Sequence, residues 1–141
     1  MFFLEDVAKK IVLGQILNGV SKYDVELIAY AVLSNHYHLL FYCDKAENVS
    51  KFIHQINGGT SFQLNTLTGI HQSLWGEKFN KTILDESAFD NILSYIIYNP
   101  YKHELVKNIE ALKKYKFCNY SDIINTRRNI TEPQNINIEL E

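Results

Sequence analysis

The chain has 141 residues, of which 46% are hydrophobic and 21% are charged, and this predicts one globular domain with a buried core. Its net charge of −2 does not by itself indicate a nucleic-acid-binding protein. Apolar runs are too short for a membrane span, the N-terminus lacks signal-peptide features, and two scattered cysteines exclude a disulfide framework, so we expect a cytoplasmic protein.

The first half of the chain predicts a helix, a β-hairpin and a second helix. Residues 4–20 place apolar side chains at helical spacing. Residues 24–33 and 36–43 are two β-rich runs joined by the short polar pair Ser34-Asn35, which is typical of a hairpin turn. A long helical segment follows over 46–69, with Gly58-Gly59 expected to weaken it in the middle.

The second half predicts a short strand and another helix. KFNKTIL, residues 78–84, is the strand candidate, and DESAFDNILSYIIYNP, residues 85–100, is a helix opened by Asp85 or Ser87 and closed by Pro100. A lysine-rich, partly helical segment comes next. The order of elements predicts an α+β fold in which helices pack on an antiparallel sheet. We expect one domain over 1–128 and a polar, acidic tail over 129–141 whose composition is that of a disordered segment.

Charge is unevenly distributed near the C-terminal end. Residues 101–128 hold seven Lys or Arg residues against three acidic ones, a local excess of four positive charges. Such a segment permits binding of a polyanion without arguing strongly for it.

Two histidines stand one residue apart in SNHYHLL, residues 34–40. On a strand, residues two apart share a face, so His36 and His38 would lie close enough to chelate one ion. Tyr37, Leu39, Phe41 and Cys43 would form the opposite, core face. The alternative is an inert pair of hydrogen-bonded histidines on a half-buried strand.

The helix over 86–99 carries an apolar stripe, and Tyr95 and Asn99 lie one turn apart on the flank of that stripe. Tyr98 is expected to point away from the core. Pro100 is expected to take Asn99 out of helical geometry at the helix end. The alternative for Tyr95 is ordinary packing at the edge of the stripe.

Together, NHYHLL and YIIYNP resemble motifs of the single-tyrosine HUH transposases, the IS200-like transposases, and among them the REP-associated tyrosine transposases. SLWGEKF and KKYKFCNYSDII resemble two further segments of that family, in the same order along the chain. The resemblance covers about residues 4–125. It implies a ferredoxin-like (RRM-like) antiparallel sheet with helices packed on it.

The resemblance also implies a site and a chemistry. His36, His38 and Asn99 would hold a divalent cation, Mg²⁺ or Mn²⁺, and Tyr95 would be the catalytic nucleophile that attacks single-stranded or hairpin DNA and forms a 5′-phosphotyrosine link. A homodimer and a monomer are both compatible with it. Nucleic-acid-binding candidates are Trp75, Lys102, Lys113, Lys114 and Lys116, with Tyr115, Phe117 and Tyr120 as further stacking candidates or simply packed residues.

The N-terminus departs from the family pattern. The family begins with a strand before the first helix, whereas MFFLED matches the start of that helix. We therefore expect the first strand to be missing or supplied otherwise.

Three functions fit these residues. The first is a metal-dependent DNA strand transferase that cuts and rejoins DNA through Tyr95. The second is a decayed or domesticated relative that binds hairpin nucleic acid without cleaving it. The third is a phosphodiesterase in which water, and not Tyr95, is the nucleophile.

Overall fold

A helix, a hairpin and four further helices follow one another along residues 2–34, 36–69 and 86–126, which are the residues that this computed structural model describes. The predicted α+β class, the hairpin and the long helices are confirmed. The strand candidate at 78–84 and the tail at 129–141 lie outside the described residues. The elements are α1 (Phe2–Lys22), β1 (Glu26–Val32), β2 (Tyr37–Tyr42), α2 (Ala46–Thr68), α3 (Glu86–Lys102), α4 (Ile109–Lys114) and α5 (Tyr120–Thr126).

The two strands form an antiparallel pair in which Ala31 lies opposite His38. The Leu33 N–H donates to the His36 carbonyl across 2.8 Å, so the chain reverses tightly between the strands and His36 directly precedes β2. The register shifts between Leu27 and Ala29, as in a β-bulge. Within the described residues the sheet has these two strands.

Helices cover both faces of the hairpin. On one face α1 and α2 pack against the odd-numbered residues of β2; the rings of Phe41 and Phe52 lie 5.0 Å apart. On the other face α3 packs against Ala29, Ala31 and Leu40. The odd-numbered face was predicted to be the core face, but its residues are only partly buried, whereas His38 and Leu40 on the opposite face are buried. The difference arises because α3 covers the second face of the hairpin, which the alternation of residues along the strands does not predict.

The glycine pair in α2 does not interrupt the helix, which runs without a break from Ala46 to Thr68. A Cβ at Gly59 would overlap the side chain of Gln15 on α1, and one at Gly19 would overlap the ring of Phe52 on α2. Gly19 therefore lets α1 approach the Phe52 ring closely, and Gly59 leaves room for the end of the Gln15 side chain, whereas Gly58 faces open space.

Helix α3 is buried on more than one side. Ile92, Leu93, Ile96 and Ile97 belong to the core against the sheet, as predicted from the apolar stripe. Tyr98, predicted to point away from the core, is 7% exposed, and its ring lies 5.1 Å from that of Tyr120. The prediction for Tyr98 was wrong because α5 covers the side of α3 that faces away from the sheet.

The end of α3 also differs from the prediction. The helix continues through Pro100 to Lys102, so Asn99 keeps helical geometry. Pro100 cannot donate to the Ile96 carbonyl, but the loss falls in the last turn. Glu104 adopts a φ of 60°, and the Leu105 N–H donates to the Pro100 carbonyl across 2.9 Å, while the Glu104 N–H donates to that of Tyr101. These bonds form a Schellman motif that ends the helix after the proline.

The segment after α4 runs along the outer edge of β1. The Val32 N–H donates to the Phe117 carbonyl across 2.7 Å, and Ala31 bridges Cys118 in antiparallel fashion. The side-chain amide of Asn119 extends this pairing, because it accepts from the Tyr30 N–H and donates to the Ile28 carbonyl. The C-terminal segment thus fixes β1 and, through it, the hairpin that carries the histidines. None of the helices in the described ranges combines the length and hydrophobicity needed to cross a bilayer.

Candidate active site

The hairpin brings His36 and His38 together, as their spacing predicts. Their ring centroids lie 4.9 Å apart, with the ring planes at 83° to one another. His36 is half-buried at the entrance to β2, and His38 is 4% exposed beneath α3. The two imidazoles therefore form a pair with one member inside the protein and the other at its surface.

Helix α3 places the tyrosine against this pair. The ring of Tyr95 lies 5.8 Å from the ring of His38, edge to face. Tyr95 is half-buried, on the flank of the helix as predicted, so its ring packs against His38 while part of it reaches the surface. Asn99 follows one turn later on the same helix face and is 1% exposed. The structure thus gathers His36, His38 and Tyr95, with Asn99 one helical turn away from Tyr95.

Two buried polar atoms here lack hydrogen-bond partners. Among the described residues, neither His38 Nε2 nor Asn99 Oδ1 has one, although both are shielded from water. An unsatisfied buried acceptor destabilises a folded protein by about 1–3 kcal/mol, so such atoms call for an explanation. An imidazole nitrogen and an amide oxygen are both ligands of divalent cations. The donor chemistry of these two atoms is that of metal ligands, and His36, the other ligand that the resemblance implies, lies beside His38.

The side chains that could bind a metal ion at this place carry no negative charge. Within the described ranges, no three His, Cys, Asp or Glu side chains are gathered tightly enough to hold an ion by themselves. A site made of His36, His38 and Asn99 would add no negative charge to a divalent cation. The cation would then keep most of its positive charge for an anionic ligand such as a phosphate.

Burial keeps His38 neutral. Desolvation lowers the pKa of His38 to about 3, and the positive charges that His36 and His103 can carry act in the same direction. Near neutral pH the imidazole therefore retains a nitrogen lone pair, which is the form that binds a metal.

This pKa predicts a pH dependence of folding in EDTA. The unfolded chain protonates His38 below about pH 6.5, whereas the folded chain does not do so until about pH 3. The unfolded state then binds more protons in that window, so the free energy of unfolding is expected to fall as the pH drops through it, by up to about 1.4 kcal/mol per pH unit. Urea denaturation between about pH 7 and pH 5 measures this slope.

Replacing His38 with glutamine should flatten that slope, while His54→Gln, which changes an exposed histidine of α2, should leave it at the wild-type value. Equal slopes in wild type and His38→Gln would contradict the buried, neutral state of His38.

A third histidine lies beside the pair and escaped the sequence analysis. The ring of His103 is 5.9 Å from that of His36, with the planes at 77°. His103 follows Asn99 by four residues and Tyr95 by eight, so all three lie on one side of α3. The four-residue spacing of Tyr95, Asn99 and His103 could have identified this histidine. It was missed because the helix was predicted to stop at Pro100.

The residues predicted to contact nucleic acid differ in their exposure to solvent. Lys102 is exposed next to His103, and Lys113, Lys114 and Lys116 are exposed at and after the end of α4, with Lys113 paired to Glu110 across 3.2 Å. Trp75 lies outside the described residues. Phe117 and Tyr120 are buried, and the Tyr115 hydroxyl donates to the Val32 carbonyl across 2.7 Å. Packing therefore accounts for these three aromatic residues, while the DNA-binding role of the lysines stays a prediction.

Comparisons with known proteins identify the chain's relatives. The family model described as transposase IS200 like matches residues 3–99, which is more than half of the chain. A solved structure of a REP-associated tyrosine transposase bound to a REP hairpin is similar in fold, with a TM-score of 0.65 and 19% sequence identity. The similarity covers 86% of this chain and 68% of the other. No match was found among curated proteins.

Proposed function

This chain belongs to the IS200-like transposase family, and on that premise we propose that it cuts and rejoins single-stranded DNA through a covalent link to Tyr95. The observation that supports this most is the contact between His38 and Tyr95. A single buried imidazole touches the ring of the candidate nucleophile and also carries a nitrogen without a partner among the described residues.

The reaction is a transesterification at one phosphodiester. The phenolic oxygen of Tyr95 attacks phosphorus, the bond from phosphorus to the 3′ oxygen breaks, and the strand keeps a free 3′-OH. The phenol proton passes to solvent, and the leaving 3′ oxygen takes up a proton. The 5′ phosphate remains on Tyr95, so the energy of the phosphodiester is conserved and rejoining needs no nucleotide cofactor.

His36, His38 and Asn99 are the residues that would hold Mg²⁺ or Mn²⁺. When bound, the cation withdraws charge from the scissile phosphate and favours the phenolate over the phenol. The chain's own residues provide the placement: α3 carries Tyr95 and Asn99 one turn apart, and the buried ring of His38 packs against Tyr95. His38 stays neutral near pH 7 and so presents a lone pair and not a second positive charge.

Hairpin DNA is the substrate class we propose. The similar solved structure is that of a transposase bound to a REP hairpin, and the exposed lysines of 102–116 supply positive charge for a phosphate backbone. At 19% identity that structure establishes the fold alone, so the hairpin preference of this chain rests on the experiment below.

The test uses labelled single-stranded hairpin oligonucleotides from the DNA that flanks the gene, incubated with the protein and Mn²⁺ or with EDTA and separated on a denaturing gel. A slow, protein-linked band that requires metal is the expected result. Cut DNA without that band would indicate hydrolysis by water. Tight binding without any cut, by folded protein, would indicate a binding module and contradict the proposed transferase.

A further inference from the structure

The feature that the proposed function leaves unused is His103, whose exposed side chain lies against the half-buried ring of His36. His36 contacts both other imidazoles, with centroid distances of 4.9 Å to His38 and 5.9 Å to His103. His36 thus lies beside both other rings, of which His38 is buried and His103 is exposed.

The backbone at His103 is held in place although its side chain is exposed. The His103 N–H donates to the Asn99 carbonyl across 2.9 Å, so the helical hydrogen bonding reaches it. The left-handed turn at Glu104 then leads the chain away. The hydrogen bond to Asn99 therefore fixes the backbone of His103 relative to α3, and only the side-chain torsions of His103 remain free to change.

Packing does not explain this arrangement. An edge-to-face contact between two rings contributes about 0.5–1.5 kcal/mol, and an exposed ring such as that of His103 buries little further surface, so packing is a weak reason for a histidine here. The neighbouring atoms suggest a different role, because His38 Nε2 and Asn99 Oδ1 are buried without hydrogen-bond partners among the described residues.

We propose that His103 is a further ligand of the metal ion, and that it completes a set of three imidazoles and one amide oxygen with His36, His38 and Asn99. This inference rests on the proposed metal-dependent function. The three rings do not yet surround a common point, so the exposed His103 ring has to rotate toward His36 when an ion binds. His38 and Asn99, being buried, stay where they are.

A third imidazole has a consequence for metal choice. Mg²⁺ prefers oxygen ligands and keeps its water, whereas imidazole nitrogen suits later first-row metals, for which affinity rises from Mn²⁺ to Co²⁺ and beyond. His103 should therefore raise the affinity for Co²⁺ or Mn²⁺ much more than the affinity for Mg²⁺. The site would discriminate between metals through one surface histidine.

The experiment is a calorimetric titration of the full chain with Co²⁺ and, separately, with Mg²⁺, in the absence of DNA. We expect His103→Ala to bind Co²⁺ about tenfold more weakly than wild type or worse, with a much smaller change for Mg²⁺. His54→Ala is the matched control, since it removes another exposed histidine and should change neither affinity. Thermal unfolding of each variant in EDTA verifies that the fold is intact.

Electron spin-echo spectroscopy counts the imidazole nitrogens coupled to bound Mn²⁺. This number would not change on substitution of His103 if that residue had only a structural role. The number of coupled imidazole nitrogens should drop from three in wild type to two in His103→Ala. Unchanged Co²⁺ affinity and an unchanged nitrogen count in His103→Ala, while His38→Ala abolishes binding, would overturn the role of His103 and leave the metal site standing. Wild-type Co²⁺ affinity in His38→Ala would instead contradict the metal site of the proposed function.

Discussion

Replacement of Tyr95 with phenylalanine is expected to abolish the covalent protein–DNA product, a loss on the order of 10⁴-fold or more, because the substitution removes the oxygen that we propose as the nucleophile. The ring itself remains, and with it the packing against His38 at 5.8 Å. We therefore expect hairpin binding to stay within about threefold of wild type and the unfolding free energy to change by less than about 1 kcal/mol. The denaturing gel measures the first effect, and gel shift and urea denaturation measure the others.

Tyr101→Phe is the matched control for this variant. Tyr101 is another half-buried tyrosine of α3, but it lies six residues after Tyr95 and so faces a different side of the helix. It should form the covalent product at the wild-type rate. A normal yield of protein-linked DNA from Tyr95→Phe would show that another group is the nucleophile, and cut DNA without any link would favour hydrolysis by water.

Replacement of Asn99 with leucine is expected to stabilise the metal-free protein while removing its response to metal. Leucine has the same branched heavy-atom skeleton as asparagine, with larger methyl groups, and Asn99 Oδ1 is buried with no hydrogen-bond partner among the described residues. Removing an unsatisfied buried acceptor should raise the free energy of unfolding in EDTA by about 1–2 kcal/mol. The additional stabilisation that we expect Mn²⁺ to give to wild type should shrink or disappear, because a proposed ligand has been lost.

Thr60→Val provides the comparison, since Thr60 Oγ1 on α2 is likewise buried without such a partner. This variant should be stabilised in EDTA for the same reason, yet it should keep the full response to Mn²⁺. Urea denaturation with and without Mn²⁺ separates the two effects. An Asn99→Leu protein that Mn²⁺ still stabilises as much as wild type would exclude Asn99 as a ligand.

Local sequence patterns predicted the hairpin and the histidine pair correctly. The period of two places His36 and His38 on one side of a strand, and the strands pair in a register that sets Ala31 opposite His38. The apolar stripe of α3 likewise predicted which side of that helix meets the sheet. These features depend on neighbours in the chain, so the sequence carries them directly.

Features that depend on distant contacts were not predictable in this way. Tyr98 is buried because α5 packs on it, and the apolar stripe of α3 does not predict that a second helix packs there. The end of α3 was misjudged because proline commonly stops a helix, whereas here a Schellman turn with Glu104 in the left-handed region follows it. That error concealed His103, the residue that the continuous helix brings to the site.

The contacts within the candidate site can be recognised only in the folded structure. The sequence and its resemblance to HUH transposases nominated His38 and Tyr95, which are more than fifty residues apart in the chain. Only the packing of α3 across the hairpin shows that their rings touch. The two buried atoms without partners are likewise a property of the folded chain, because any histidine or asparagine is satisfied by water when it is exposed.

Mass spectrometry of the trapped protein–DNA product, after digestion with trypsin and nuclease, identifies the residue that carries the DNA. The peptide that ends at Lys102 contains Tyr95, Tyr98 and Tyr101, and fragmentation distinguishes among them. We expect a phosphonucleotide on Tyr95 and on no other residue. A nucleotide on a different side chain, or cleaved DNA with an unmodified Tyr95 peptide, would contradict it.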